Sequence, residues 1–244
     1  MQLLQKTKYK ALVRMERVQE FRATYHIEDE AGPNRDKILQ DGLKRTKACI
    51  DMNPGMVWGL QKDTSSGRVV WTGDCKMLNA KKIKTEEDWN NMMGGLYYMF
   101  QSMQCDLESI RNGVAWIGHC QEVSWARNFH YEYQKQAAAL YSHGYPIRIK
   151  EITFLDSPFV FTVVYNIIKI FISKKVRGVV NLVKTSAYFA TDDDKNKTGI
   201  IRNKYSKESL PVSMGGTLKE EDLMESVERL LKQRLENSAS FKLP

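Results

Sequence analysis

The pattern of apolar and polar positions is most lopsided between Tyr145 and Ile172, YPIRIKEITFLDSPFVFTVVYNIIKIFI. Ile147 and Ile149 alternate with Arg148 and Lys150, the period of a strand with one face in water. Ile152 and Phe154 continue the alternation one residue out of step. Either a bulge sits near Lys150-Glu151, or Glu151 turns inward; an inward carboxylate needs a partner, which favours the bulge. Ser157 then offers an N-cap and Pro158 a first helical residue. Within the helix predicted to Ile172, Thr162, Asn166 and Lys169 fall on one narrow stripe that continues to Ser173. The rest of the circumference is apolar, yet the run is too short and interrupted to span a bilayer, which takes about 20 residues. Two structures fit: a core helix of a two-layer domain, or a helix with one face on a ligand cavity and another able to touch a membrane.

The same periodicities divide the rest of the chain. Leu3–His26 and Asp36–Met52 read as basic helices, separated by a turn at Gly32-Pro33. Val57–Leu60 and Arg68–Thr72 read as a hairpin around DTSSG at 63–67. Thr85-x-x-Asp88 has the form of a capping box opening a helix to about Ile110, with Gly94-Gly95 as its weak point. Val114–His119 is a short buried strand, and Trp125–Ser142 a helix closed by Gly144 and Pro146. Val176–Val183 is another strand, and TDDDKNK at 191–197 a loop by composition. Thr217-x-x-Glu220 caps a final helix to Asn237, with Leu223, Val227, Leu230 and Leu231 on its inner face. Strands separated by helices of this length predict an α/β layered fold with crossovers.

Composition narrows the functions. A chain of 244 residues, 42% hydrophobic, can bury a large core. Its first ten residues are polar and basic, without the apolar stretch of a signal peptide. Cys49, Cys75, Cys105 and Cys120 lack the paired short spacing of a zinc site and read as reduced thiols of a cytoplasmic protein. The net charge of +8 points to an anionic partner. Arg148, Lys150, Lys174, Lys175 and Arg177 would form one positive patch beside the apolar helix, suited to an acidic membrane surface. Nucleic acid is disfavoured, because the aromatics sit on that helix instead of among the basic residues. No glycine-rich phosphate loop and no nucleophile elbow is present. His119 and Cys120, as neighbours on a strand, point to opposite faces and cannot share a catalytic or metal centre. No catalytic residue, metal or cofactor is expected.

YPIRIKEITFLDSPFVFTVVYNIIKIFISKKVRGVV, followed by LPVSMGG at 210–216, resembles the CRAL-TRIO lipid-binding domain family, nearest its retinaldehyde-binding and tocopherol-transfer branch. The resemblance implies an α/β fold in which a mixed sheet and helices enclose a hydrophobic lipid pocket over residues 51–244, behind a helical segment at 1–50 that is a shortened or divergent form of the family's N-terminal lobe. It implies non-enzymatic binding of a small hydrophobic lipid and its transfer between membranes, by a cytoplasmic protein peripheral to them. A gate or pocket would be formed by Phe159, Phe161, Val164, Tyr165, Ile168 and Phe171, with Trp116, Trp125, Phe129 and Phe154 lining the cavity. Arg148, Lys150, Lys175 and Arg177 would meet phosphoinositide headgroups. Departures from the family pattern are Ile170 for a proline, Ile147 for an acidic residue, Val179 for a basic one and His119 for an aspartate. The losses at Ile147 and Val179 favour a ligand less polar than phosphatidylinositol. The alternative is an interaction scaffold that keeps the fold around a vestigial pocket.

Overall fold

The computed structural model describes residues 2–27, 34–141, 145, 147–184, 204–214 and 216–238. Two helices lead, α1 (Gln2–Thr24) and α2 (Arg35–Met52). Asn34 caps α2 by accepting from the Lys37 N–H. Arg45 joins the two, its guanidinium donating to the Tyr25 and His26 carbonyls and to Asp41. The buried stripe Ile38, Gly42, Thr46 and Cys49 packs α2 onto α3 (Glu86–Ser102). Gly94 and Gly95 do not weaken α3; a Cβ on Gly95 would stand 2.8 Å from the Arg45 carbonyl, so they let the two helices approach.

Five strands form one sheet in chain order: β1 (Gly59–Lys62), β2 (Val69–Asp74), β3 (Val114–His119), β4 (Ile149–Leu155) and β5 (Val180–Val183). β1 and β2 are the antiparallel hairpin; β2 to β5 run parallel. Asp63 fixes the hairpin turn and also accepts from the Ser206 N–H and the Ser209 hydroxyl, pinning the late segment 204–210 to it. That segment covers one face of the sheet, where Tyr205, Leu210 and Met214 pack on Val70, Ala115, Ile117 and Leu155. Helices cover the other face. The last helix, α9 (Leu223–Ser238), buries Leu223, Val227, Leu230 and Leu231 against α2, α3 and β1.

The register change expected in β4 resolves both ways at once. Val114 pairs with Ile149 and Ala115 with Glu151, so Lys150 is the extra residue of a bulge. Glu151 also turns inward, 2% exposed, and accepts from Tyr205 (2.8 Å), Thr153 (3.0 Å) and Lys204. The partners that local pattern could not supply come from more than fifty residues downstream.

Several expected elements have different bounds. The helix from Thr85 keeps its capping box but ends at Ser102; Asp106 then caps a short α4 (Leu107–Asn112). The Trp125 helix divides into α5 (Trp125–Asn128) and α6 (Tyr131–Ala139). At the break, the Asn128 amide donates to the Lys76 and Leu78 carbonyls. Gly144 and Pro146 lie outside the described residues, as do 191–197. The apolar helix, α7, covers Phe159–Ile168, with Pro158 at its N-cap and Lys169–Ile172 as a turn; Ser157 makes no cap. Val176 belongs to a helical turn, α8 (Lys174–Arg177), capped by Ser173, and the strand begins only at Val180. Thr217 does not open α9, because Leu218 is held in a bridge with Pro211.

Candidate functional site

The parallel register brings distant side chains into rows. Trp71, Trp116, Ile152 and Val180 are successive neighbours across four strands, and Gly73, Gly118, Phe154 and Leu182 form the next row. Gly118 leaves room beside Phe154: a Cβ there would come within 3.2 Å of its ring. Above this floor lies a cavity of about 130 Å³. α6 supplies Tyr133, Ala137 and Ala138, with Tyr141 just beyond; α7 supplies Phe161 and Tyr165; Ile172 and Val176 close the end. Trp71 and Trp116 stack at 5.1 Å, Trp116 meets Phe154 edge to face at 5.2 Å, and Phe154 touches Phe161 at 4.6 Å. The aromatic chain therefore runs from the sheet onto α7.

α7 has two apolar faces. Phe161 is buried towards the cavity, whereas Phe159 is 84% and Val163 40% exposed, and Ile170 in the following turn is 71% exposed. Water meets large apolar surface on the outer side of a helix whose inner side closes the cavity. As the crossover between parallel β4 and β5, α7 returns from the carboxyl to the amino edge of the sheet. Its end and α8 thus come beside the start of β4.

Of the residues singled out from sequence, Trp116, Phe129, Phe154, Phe161 and Tyr165 line the cavity. Phe159 does not; it points into solvent. Phe171 packs edge to face on Tyr131 at 5.8 Å, not on the cavity. Trp125, Val164 and Ile168 belong to α5 and α7, but their side chains lie outside the described residues. Trp71, Tyr133, Tyr141, Ile152 and Val180 were missed. The usable signal for Trp71 is VVWTG beside VAWIG, two strands each with a central tryptophan two residues before glycine.

Arg148, Lys150 and Lys175 do converge. Neighbouring positive charge, from Arg148 first, lowers the Lys150 pKa, with smaller effects of burial, Arg68 and Lys175. Arg68 was not foreseen; it reaches the group from β2's approach, 3.9 Å from Glu151. Arg177 is exposed on α8, two residues past Lys175.

His119 and Cys120 separate. His119 stacks on Trp58 and lies 3.8 Å from Asp156 and 4.0 Å from Asp74, while Cys120 is buried in the cavity-side cluster. Burial pushes the Cys120 thiol far up and the Cys49 thiol up to about 12, so both stay protonated. Among the described residues no group of three or more His, Cys, Asp or Glu could hold a metal, and no helix is long and apolar enough to cross a membrane.

The chain is thus an α/β protein with a mixed five-stranded sheet and an apolar cavity under a crossover helix. The CRAL/TRIO domain model matches residues 53–216, and the chain belongs to that family of lipid-binding and lipid-transfer proteins. Similar curated proteins are tyrosine-protein phosphatase non-receptor type 9 of Rattus norvegicus, Mus musculus and Homo sapiens. Each is 26% identical over 128 residues, 52% of this chain and 19% of the relative. The matched segment spans about a fifth of those relatives' length, and the activity in their name is not carried over. Among solved structures, Sfh5 aligns with a TM-score of 0.40 and 16% identity, over 54% of this chain and 49% of that one.

Proposed function

We propose that the protein holds one small hydrophobic lipid between the sheet and α7 and moves it between membranes, without catalysis, in the cytoplasm. The observation behind this reading is the double apolar character of α7, buried at Phe161 and exposed at Phe159 and Ile170. A helix built this way has an apolar partner in both states: the cavity contents when closed, a bilayer when open. Arg148, Lys150, Lys175 and Arg177 would hold acidic headgroups, phosphoinositides included, each contributing about 1 kcal/mol at an anionic surface.

The cavity of about 130 Å³ is below the roughly 300–1,000 Å³ of ordinary ligand pockets. On this reading the guest enters by lifting α7. The same volume supports a second reading, a scaffold with a vestigial pocket. Transfer of a fluorescent neutral lipid between two vesicle populations separates the two. The carrier reading expects faster transfer with protein, accelerated further by phosphoinositide in the acceptor vesicles. Vesicle binding without transfer would leave the scaffold.

A further inference from the structure

β2 and β3 lie side by side in parallel, and the pairing of Asp74 with His119 ends their ladder. A cysteine follows each of them, Cys75 after Asp74 and Cys120 after His119. Side chains alternate along a strand, so this pair belongs to the same face as the Trp71–Trp116 and Gly73–Gly118 pairs, the floor of the cavity. The Cys120 N–H donates to the Leu155 carbonyl at 2.8 Å and carries the sheet one step further. Both sulfurs lie against Gly118. A Cβ on that glycine would stand 3.0 Å from the Cys75 sulfur, and the Cys120 thiol donates to its carbonyl at 3.7 Å. Neighbouring strands are about 4.8 Å apart, within the roughly 4.4–6.8 Å between Cα atoms that a disulfide spans. Cys75 is half-buried and lines the cavity, whereas Cys120 is fully buried. The other two thiols meet no cysteine: Cys49 touches the Met92 sulfur at 3.3 Å and Cys105 the Ser109 hydroxyl at 3.6 Å.

We infer that Cys75 and Cys120 form a redox dithiol, which a small disulfide such as oxidised glutathione converts reversibly into an intramolecular disulfide at the cavity floor. Cys75, the reachable thiol, gives its proton to solvent and its sulfur attacks one glutathione sulfur. The glutathione S–S bond breaks, and one glutathione leaves as a thiolate that takes up a proton. The Cys120 sulfur then attacks the Cys75 sulfur, its proton passing to the second departing glutathione. Two electrons move from the protein sulfurs to the glutathione disulfide, and two reduced glutathiones are released. Burial, and after it the neighbouring Cys75 thiol, hold the Cys120 thiol far above its ordinary pKa. Cys120 therefore acts second, when contact has made the exchange intramolecular. Disulfides in cytosolic proteins are commonly transient and redox-sensing, which suits a pair that rests reduced. The dithiol stands whether or not the cavity holds a guest.

The test is incubation of the folded full chain with excess oxidised glutathione, acid quench, alkylation in denaturant and mass spectrometry without reduction. The wild type should lose two hydrogens, carry no glutathione and show tryptic peptides 69–76 and 112–127 joined, with Cys49 and Cys105 alkylated. Excess reduced glutathione should restore four alkylatable thiols. Cys120→Ser should stop with one glutathione on Cys75, and Cys75→Ser should stay unmodified. Circular dichroism checks that each variant is folded, and Cys120→Ala replaces the serine variant if it is not. The joined peptides are read in the wild type and do not depend on any variant. Glutathione accumulating on wild-type Cys75 without closure, four free thiols after incubation, or oxidation that also consumes Cys49 and Cys105 overturns the inference. A disulfide that reduced glutathione fails to reopen contradicts its reversibility and overturns it too.

Discussion

Replacing Phe159 and Ile170 by serine removes the two most exposed apolar side chains of α7 and the turn after it without touching the buried Phe161. Full burial of a side chain of this size is worth about 1.5–3 kcal/mol. Phe159 is 84% and Ile170 71% exposed, so nearly all of that surface remains to be covered by a bilayer. Insertion to headgroup depth buries part of it, roughly 1.5 kcal/mol for each residue and about 3 kcal/mol for the pair. At about 1.4 kcal/mol per decade, the double variant should partition onto vesicles about 100-fold more weakly. Vesicle co-flotation on neutral lipid isolates this effect from charge. The midpoint of chemical denaturation should stay close to wild type, because neither side chain packs in the core. An unchanged partition coefficient would refute a membrane-facing role for α7. A fall in stability of several kcal/mol would show instead that these residues support the fold.

Three further outcomes follow from the geometry. Lys150→Glu with Lys175→Glu should weaken binding to acidic vesicles by ten-fold or more and flatten its salt dependence, with neutral vesicles as the control. At Asp63, burial acts to raise the pKa, but hydrogen bonds from Ser66, Ser206 and Ser65 outweigh it and hold the carboxyl well below its usual range. A lowered folded-state value stabilises the fold above the unfolded value of about 3.9 and is lost as pH falls towards the folded one. Asp63→Asn should therefore destabilise at neutral pH and shrink the stability difference between neutral and about pH 3; an equal difference in both proteins would count against this. Gly118→Ala places a methyl 3.0 Å from the Cys75 sulfur and 3.2 Å from Phe154. By crowding Cys75 and Phe154, which do line the cavity, it should cost about 1 kcal/mol and reduce uptake of an apolar probe; unchanged uptake would show that the space beside Phe154 does not shape the cavity.

The hairpin around Asp63, the central strand and the inner face of α9 were legible because turn residues and apolar spacing are local. The breaks after Ser102 and Asn128 were not. Asn128 spends its amide on carbonyls about fifty residues upstream, a pairing that no helical periodicity reports. Glu151 was misjudged for the same reason, its partners lying at Lys204 and Tyr205. Which way Phe159 faces was hidden because a helix apolar nearly all round gives little contrast between inside and outside. Trp71 was missed because its place beside Trp116 depends on parallel register, which is set by the crossover and the whole sheet.

Solvent extraction of the purified full chain, with mass spectrometry giving moles of apolar lipid per mole of protein, bears most directly on the cavity beneath α7. Comparison with Ala138→Phe, which fills that cavity from α6, supplies the control. A ratio near one in the wild type, falling towards zero in the variant, is expected. No extractable lipid in the wild type, or an undiminished amount in the variant, would contradict it.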